Sequence, residues 1–372
     1  MSLALVDSRR LTGANLFWDS PSAVIDVRIP DSARGAVTHW ELAARDLLVA
    51  CGQGEQQTCH RNFDGGASLL ISSPIDALYS MCELNEVAWD QAVHEVDEGP
   101  APDMKSETSR LRALFAAEKC PRLLQLEGAA RKNGAPFLWD SDEVSVGYGS
   151  SCRVWPAAEI ADPAGIDWTG IHAIPLVLVT GTNGKSTSVR MVADILQAAD
   201  YCSGLTSTDF IRVDGELIEA GDYSGPSGAR TLLRHPRVGA AVLELARGGL
   251  LRRGLGVERA DAALVTNVAA DHLGEYGINS VKELIEAKFI VRRALGRGSP
   301  LVLNADDEGI TEFARALHRQ EQRCTWWFSE DAGHPLIREA IARGEGACWL
   351  HEGGLFTNAH GKGNPGGIRP IT

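Results

Sequence analysis

Apolar positions along the chain follow two regimes. In the first part they are sparse and alternate: 23–29 reads as a strand with every second residue inward, 68–71 is a short apolar run, and each is followed by a helical stretch. From residue 174 the pattern becomes regular. Uninterrupted apolar runs at 174–180, 239–245, 262–268 and 300–305 are separated by helical or loop segments. Strands apolar on both faces and joined by crossovers predict a parallel sheet covered by helices, an α/β fold, preceded by a smaller α/β region.

Punctuation between the runs suggests the domains. Ser73-Pro74 with Asp76 is a helix start, and Ile75, Leu78, Tyr79 and Cys82 then fall on an inward face. Residues 97–105, rich in Pro and Gly, form a linker, and a helix is expected over about 107–132. Short strands at 137–140 and 144–147 precede a hinge at 155–170. This gives an N-terminal region 1–170, split near 97–106, and a regular α/β domain 171–372, with further strands at 326–328 and 347–350 and a flexible stretch at 361–367.

The sharpest chemical signal sits at the end of the first regular run. An apolar strand feeds directly into Gly181, Thr182, Asn183, Gly184, Lys185, Ser186 and Thr187. Glycines let backbone N–H groups turn toward an anion, the following helix offers its positive end, and Lys185 adds a point charge. That is a cradle for ATP, with Ser186 placed to ligate Mg²⁺. Glu244 lies near the C-terminal end of the next apolar strand, where ligands sit in open α/β sheets. It can hold the same Mg²⁺ or simply reach solvent, and the Gly248-Gly249 pair after it favours close approach of a ligand.

Bulk properties narrow the picture. At 372 residues with 44% apolar content the chain can bury more than one core, and no run approaches the roughly 18 apolar residues of a membrane span. A net charge of −13 argues against a nucleic-acid surface. Eight scattered cysteines read as reduced thiols of a cytoplasmic protein, Cys59-His60 included. One local basic cluster, Arg247, Arg252, Arg253 and Arg259, suits either a small anionic substrate or a solvated helix face.

The loop departs from the usual phosphate-binding motif: only Thr182 and Asn183 separate its two glycines, and Val179 stands where an earlier glycine is expected. This short form, Gly-Thr-Asn-Gly-Lys-Ser, resembles the loop of the Mur ligases, which include folylpolyglutamate synthetases and cyanophycin synthetase-like members. Residues 266–273, Thr-Asn-Val-Ala-Ala-Asp-His-Leu, are similar to a second family element. There the resemblance makes His272 a ligand of a second metal, with Asn267 or Asp271 orienting it. Lys288 falls where many members carry a carbamylated lysine, an anionic oxygen ligand; Lys282 is the weaker candidate, and a plain surface lysine the alternative. Residues 304–307 resemble an Asn-Ala-Asp-Asp element whose asparagine, here Asn304, contacts adenine. Thr208, Ser227 and Arg230 lie in loops similar to those of the cyanophycin synthetase-like members. Arg230 would grip a substrate carboxylate or sit in a salt bridge, and Arg247 joins it in substrate binding.

The resemblance implies an ATP- and Mg²⁺-dependent ligase joining a small-molecule carboxylate to an amine through an acyl phosphate. Lys185, Glu244, His272 and Lys288 are its catalytic candidates. Family ligases carry a third, Rossmann-like domain that should begin near residue 372. The expectation is therefore either a homo-oligomer or partner chain that supplies the lobe, or a non-catalytic ATP-Mg-binding subunit or truncated pseudo-ligase.

Overall fold

The structure is a computed structural model that describes residues 2–97, 102–271, 273–319, 321, 323–358 and 369–371. His272, residues 98–101 of the expected linker and the stretch 361–367 lie outside the described residues.

The regular apolar runs build one eleven-stranded sheet. Its order is Glu216–Ala220, Phe210–Val213, Ser203–Thr206, Ala240–Glu244, Leu176–Thr180, Ala262–Val265, Leu301–Asn304, Thr325–Ser329, Ala347–His351, Gly354–Thr357 and Arg369–Ile371. From Ser203–Thr206 to Ala347–His351 every pairing is parallel, and an antiparallel hairpin or ribbon closes each edge. Ala240–Glu244 is buried at all positions, which is why 240–243 read as an apolar run, with Glu244 at its end. Alternate residues feed two cores: Val179 and Val242 pack on Val189 and Ala193 of helix Lys185–Ala198, whereas Leu178, Leu243 and Ala263 join Ile290 and Leu303 on the other face. Each of the valines, leucines and isoleucine contributes about 2 kcal/mol by leaving water, and each alanine less than half of that.

Chain order fixes where a ligand can enter. From Leu176–Thr180 the chain moves two places to Ser203–Thr206, returns through Ala240–Glu244 beside its start, then crosses to Ala262–Val265 on the opposite flank. Successive connections thus diverge around the strand that carries the phosphate loop. This leaves a crevice at the carboxyl ends of the strands.

The N-terminal region is a four-stranded antiparallel sheet in the order Ala4–Leu11, Ser22–Arg28, Gly66–Ser72, Thr58–Phe63. Helices Ala36–Ala50 and Leu78–Asp97 bury Trp40 and Trp89 against Ile25 and Leu69. The second helix begins later than Ser73-Pro74 suggests. Ser73 turns its hydroxyl to the Pro74 carbonyl, and Glu118 accepts the first free N–H groups instead, from Tyr79 at 2.9 Å and Ser80 at 2.7 Å. Tyr79 is exposed rather than inward, its ring under the Arg10 guanidinium. The single helix expected over 107–132 is two, Met104–Glu118 and Pro121–Lys132, because Pro121 has no N–H to continue the first. Leu111 and Phe115 of the first join the N-terminal core. Leu126 of the second packs on a three-stranded antiparallel sheet, Phe137–Trp139, Glu143–Val146 and Arg153–Pro156, whose last strand ends inside the stretch expected as a hinge.

Backbone hydrogen bonds tie the N-terminal strand to the main domain. Thr12 N–H donates to Arg253 at 2.7 Å and Leu255 N–H to Ala14 at 2.7 Å. A Cβ on Gly13 would stand 2.3 Å from the Leu255 carbonyl oxygen, so the two backbones meet only because that position is glycine. Arg61, on the hairpin strand Thr58–Phe63, reaches the Gly277 carbonyl and Glu283 at 2.9 Å each. All eight cysteines are free.

Candidate active site

The phosphate loop is held by the next strand rather than by itself. Thr182 N–H donates to the Asn267 carbonyl at 2.8 Å. Asn183 N–H donates to Asn267 Oδ1 at 3.0 Å, and Asn267 Nδ2 returns a bond to the Asn183 carbonyl at 3.1 Å. Thr266 Oγ1 reaches the same carbonyl at 2.7 Å, and Ala269 N–H donates to Thr182 Oγ1 at 3.1 Å. Gly181 has φ 149°, and a Cβ there would lie 1.9 Å from Thr266 Oγ1. No other residue fits that approach. Gly184, in the left-handed region, then starts helix Lys185–Ala198, pointing its free N–H groups into the loop.

Two lysines converge on this turn. Lys185 Nζ donates to the Thr182 carbonyl at 2.9 Å and Lys288 Nζ to the Gly181 carbonyl at 2.7 Å. Lys288 is 3% exposed. Burial first and the nearby Lys185 charge second pull it down to about 7, with Asp271 opposing and Arg247 reinforcing the shift. Near neutral pH a large share of Lys288 is therefore the free amine, the form that combines with CO₂. Lys282, on the same helix Val281–Lys288, is exposed. The α-helix ends at Lys288 and continues as a 3-10 turn over Phe289–Ala294.

Glu244 is the most telling residue. It is 1% exposed, it ends strand Ala240–Glu244, and neither carboxylate oxygen has a hydrogen-bond partner. Its N–H is engaged by Thr206 Oγ1 at 3.3 Å. A buried carboxylate left so is costly unless a cation completes it. Carboxylate and hydroxyl oxygens are the donor type that Mg²⁺ takes, and at the phosphate loop Ser186 Oγ lies 3.5 Å from Thr208 Oγ1. Among the described residues no three His, Cys, Asp or Glu form an all-protein metal cage.

The remaining candidates divide. Asn304 Nδ2 donates to the Thr266 carbonyl at 3.0 Å and its Oδ1 accepts from Asp306 N–H at 2.9 Å, leaving one amide N–H for a ligand. Asp307 fastens Val268 N–H at 2.7 Å and caps helix Glu308–His318. Arg247 pairs with Glu275 and influences Lys288 electrostatically. Thr187 and Ser227 are exposed. Arg230 takes the salt-bridge alternative, its Nε 3.3 Å from Asp140, and lines a separate cavity. Sequence reasoning gave no role to Thr266, Thr206 or Glu275. Only Thr266 had a signal, as neighbour of Asn267.

Residues 179–349 match the Mur ligase middle domain. Over 188 residues, half of this chain, the sequence is 37% identical to the cyanophycin synthetase of Synechocystis sp. and 38% identical to that of Nostoc sp.. The match covers 21% and 20% of those proteins, so the chain spans about a fifth of the length of these curated relatives. A UDP-N-acetylmuramoylalanine–D-glutamate ligase of Leuconostoc citreum is 30% identical over 168 residues, 44% of this chain and 33% of that one. Among solved structures, a UDP-N-acetylmuramoyl-L-alanyl-D-glutamate–2,6-diaminopimelate ligase overlays with a TM-score of 0.40 at 18% identity, covering 54% of this chain and 39% of that one.

Proposed function

We propose, from the premise that residues 179–349 are a Mur ligase middle domain similar to that of cyanophycin synthetases, that the chain is an ATP-dependent ligase forming an amide between a small-molecule carboxylate and an amine. The observation that carries the reading is Glu244: a buried carboxylate with both oxygens unpartnered, at the carboxyl end of the strand beside the phosphate loop. Mg²⁺, when bound, neutralises phosphate charge there. Glu244 and Ser186 would hold it, and Lys288 in carbamylated form, with His272, would hold a second ion.

This chain's own groups do the positioning. Backbone N–H groups of 184–187 and Lys185 cradle the β and γ phosphates, and Asn304 offers its remaining N–H to the base. The γ-phosphoryl group passes from ATP to the substrate carboxylate with ADP as leaving group; the amine then attacks the acyl carbon, the C–O bond to phosphate breaks, and phosphate and the amine's proton leave. Catalysis of this kind rests on orientation and electrostatic stabilisation. Free thiols throughout the chain favour the cytoplasm, and among the described residues no helix is long and apolar enough to cross a membrane.

Phosphate release from ATP-Mg, measured against paired panels of acids and amines, tests the reading. Release that needs both partners and falls by roughly a hundredfold or more in Lys185→Ala is expected. Release with an acid alone, or none with any pair, overturns it.

A further inference from the structure

Away from the phosphate loop a cavity of about 330 Å³ opens where three stretches meet. They are the turn at 12–21, helix Pro121–Lys132 with strand Phe137–Trp139, and helix Pro226–Leu233 with the loop at 255–258. None of residues 181–187, Glu244, Asp271 or Lys288 lines it. Its volume is that of a small-molecule site. The backbone bonds Thr12 to Arg253 and Leu255 to Ala14 fix one wall before any ligand arrives.

Opposite charges face this space without an adequate partner. Arg230 stands 3.3 Å from Asp140 Oδ2, an oxygen that Arg234 already holds at 2.7 Å. The other oxygen of Asp140 accepts the N–H groups of Asp142 and Glu143. Arg230 is thus a largely buried guanidinium with a share of one saturated carboxylate. On another wall Glu127 has a single ion pair, 3.4 Å to an exposed Arg131. Burial raises its carboxyl pKa, and Glu258, which also lines the cavity, adds to that. Arg230 and Glu127 make no ion pair with each other, and Phe137 and Trp139 line the same space.

We propose that this cavity is a second small-molecule site, separate from the nucleotide loop, for a zwitterion of dipeptide size. Its carboxylate sits on Arg230, its ammonium on Glu127 and Glu258, and an aromatic or apolar side chain runs along Phe137 and Trp139. Such a ligand completes both charges at once, which neither water nor a simple anion does.

Calorimetric titration of the full chain, without nucleotide, tests this with glycyl-L-phenylalanine, its C-terminal amide and its N-acetyl derivative. The parent peptide binds, and each capped form binds roughly tenfold more weakly or worse. In Arg230→Met the parent and the amide bind alike; in Glu127→Gln, an isosteric change on a surface helix, the parent and the N-acetyl form bind alike. Thermal melting of both variants confirms that they fold. No binding of the parent at about 10 mM, capped forms that bind as well as the parent, or discrimination unchanged in both variants each overturns the proposal. Because no ATP is present, the result is independent of the ligase reading.

Discussion

Two buried carboxylates, one in each half of the molecule, behave differently. Asp26, in the N-terminal sheet, is fully engaged: Arg9 Nη1 donates to one oxygen at 2.6 Å and Ser68 Oγ to the other at 2.5 Å. Arg9 in turn holds Asp7 and the Leu251 carbonyl. Glu244, in the main sheet, is as deeply buried and has no hydrogen bond to either oxygen. The first arrangement is complete as protein and bears on stability. The second is complete only with something added, and so bears on function.

Paired substitutions test that contrast most sharply. Asp26→Asn leaves Arg9 with Asp7 as its one charged partner and is expected to cost about 1–3 kcal/mol in urea unfolding. Glu244→Gln, which removes an unpartnered charge, should leave the ligand-free protein as stable as before or more stable by about 1–2 kcal/mol, while abolishing the Mg²⁺ dependence of ATP binding. Equal destabilisation by both would erase the distinction.

Lys288 sharpens it through pH. Its folded-state value near 7 lies below the ordinary lysine value of about 10.4, so between the two the unfolded chain binds more protons. Stability of the ligand-free protein should therefore rise with pH from about 7 to about 10, by a few kcal/mol, and be flat in this respect below 7. Lys288→Met should remove that slope. Labelled bicarbonate should also give a carbamate signal in the wild type that is lost in Lys288→Met; an unchanged pH slope in the variant would show that another group carries it.

The smallest expected effect lies wholly within the N-terminal half. Glu118→Gln weakens the acceptor that caps helix Leu78–Asp97 and should lower stability by about 1 kcal/mol without touching ATP binding. A change in nucleotide affinity would mean the two halves are coupled more tightly than their contacts suggest.

Much of the main domain was legible because strands buried on both faces leave an unbroken apolar trace, as at 176–179 and 240–243. The loop at 181–187 was legible because its backbone shape needs glycine at fixed places. Less could be read where structure depends on distant partners. Glu118 replacing a local cap and Arg230 turning to Asp140 are set by residues tens of positions away. The strand Arg153–Pro156 was obscured by the proline and tryptophan that suggested a hinge. Nothing in the sequence distinguishes a carboxylate with partners from one without, since that depends on which side chains the sheet brings alongside.

The bond from Arg9 to the Leu251 carbonyl joins residues 242 positions apart. At bacterial-scale synthesis rates of about 5–20 residues per second, the first strand leaves the ribosome roughly ten to fifty seconds before its acceptor exists. During that interval Asp26, held by Ser68, can already engage Arg9, so the early sheet can close around the arginine. Its remaining N–H then waits, and the late arrival of 251–255 docks the newborn main domain onto a surface already formed.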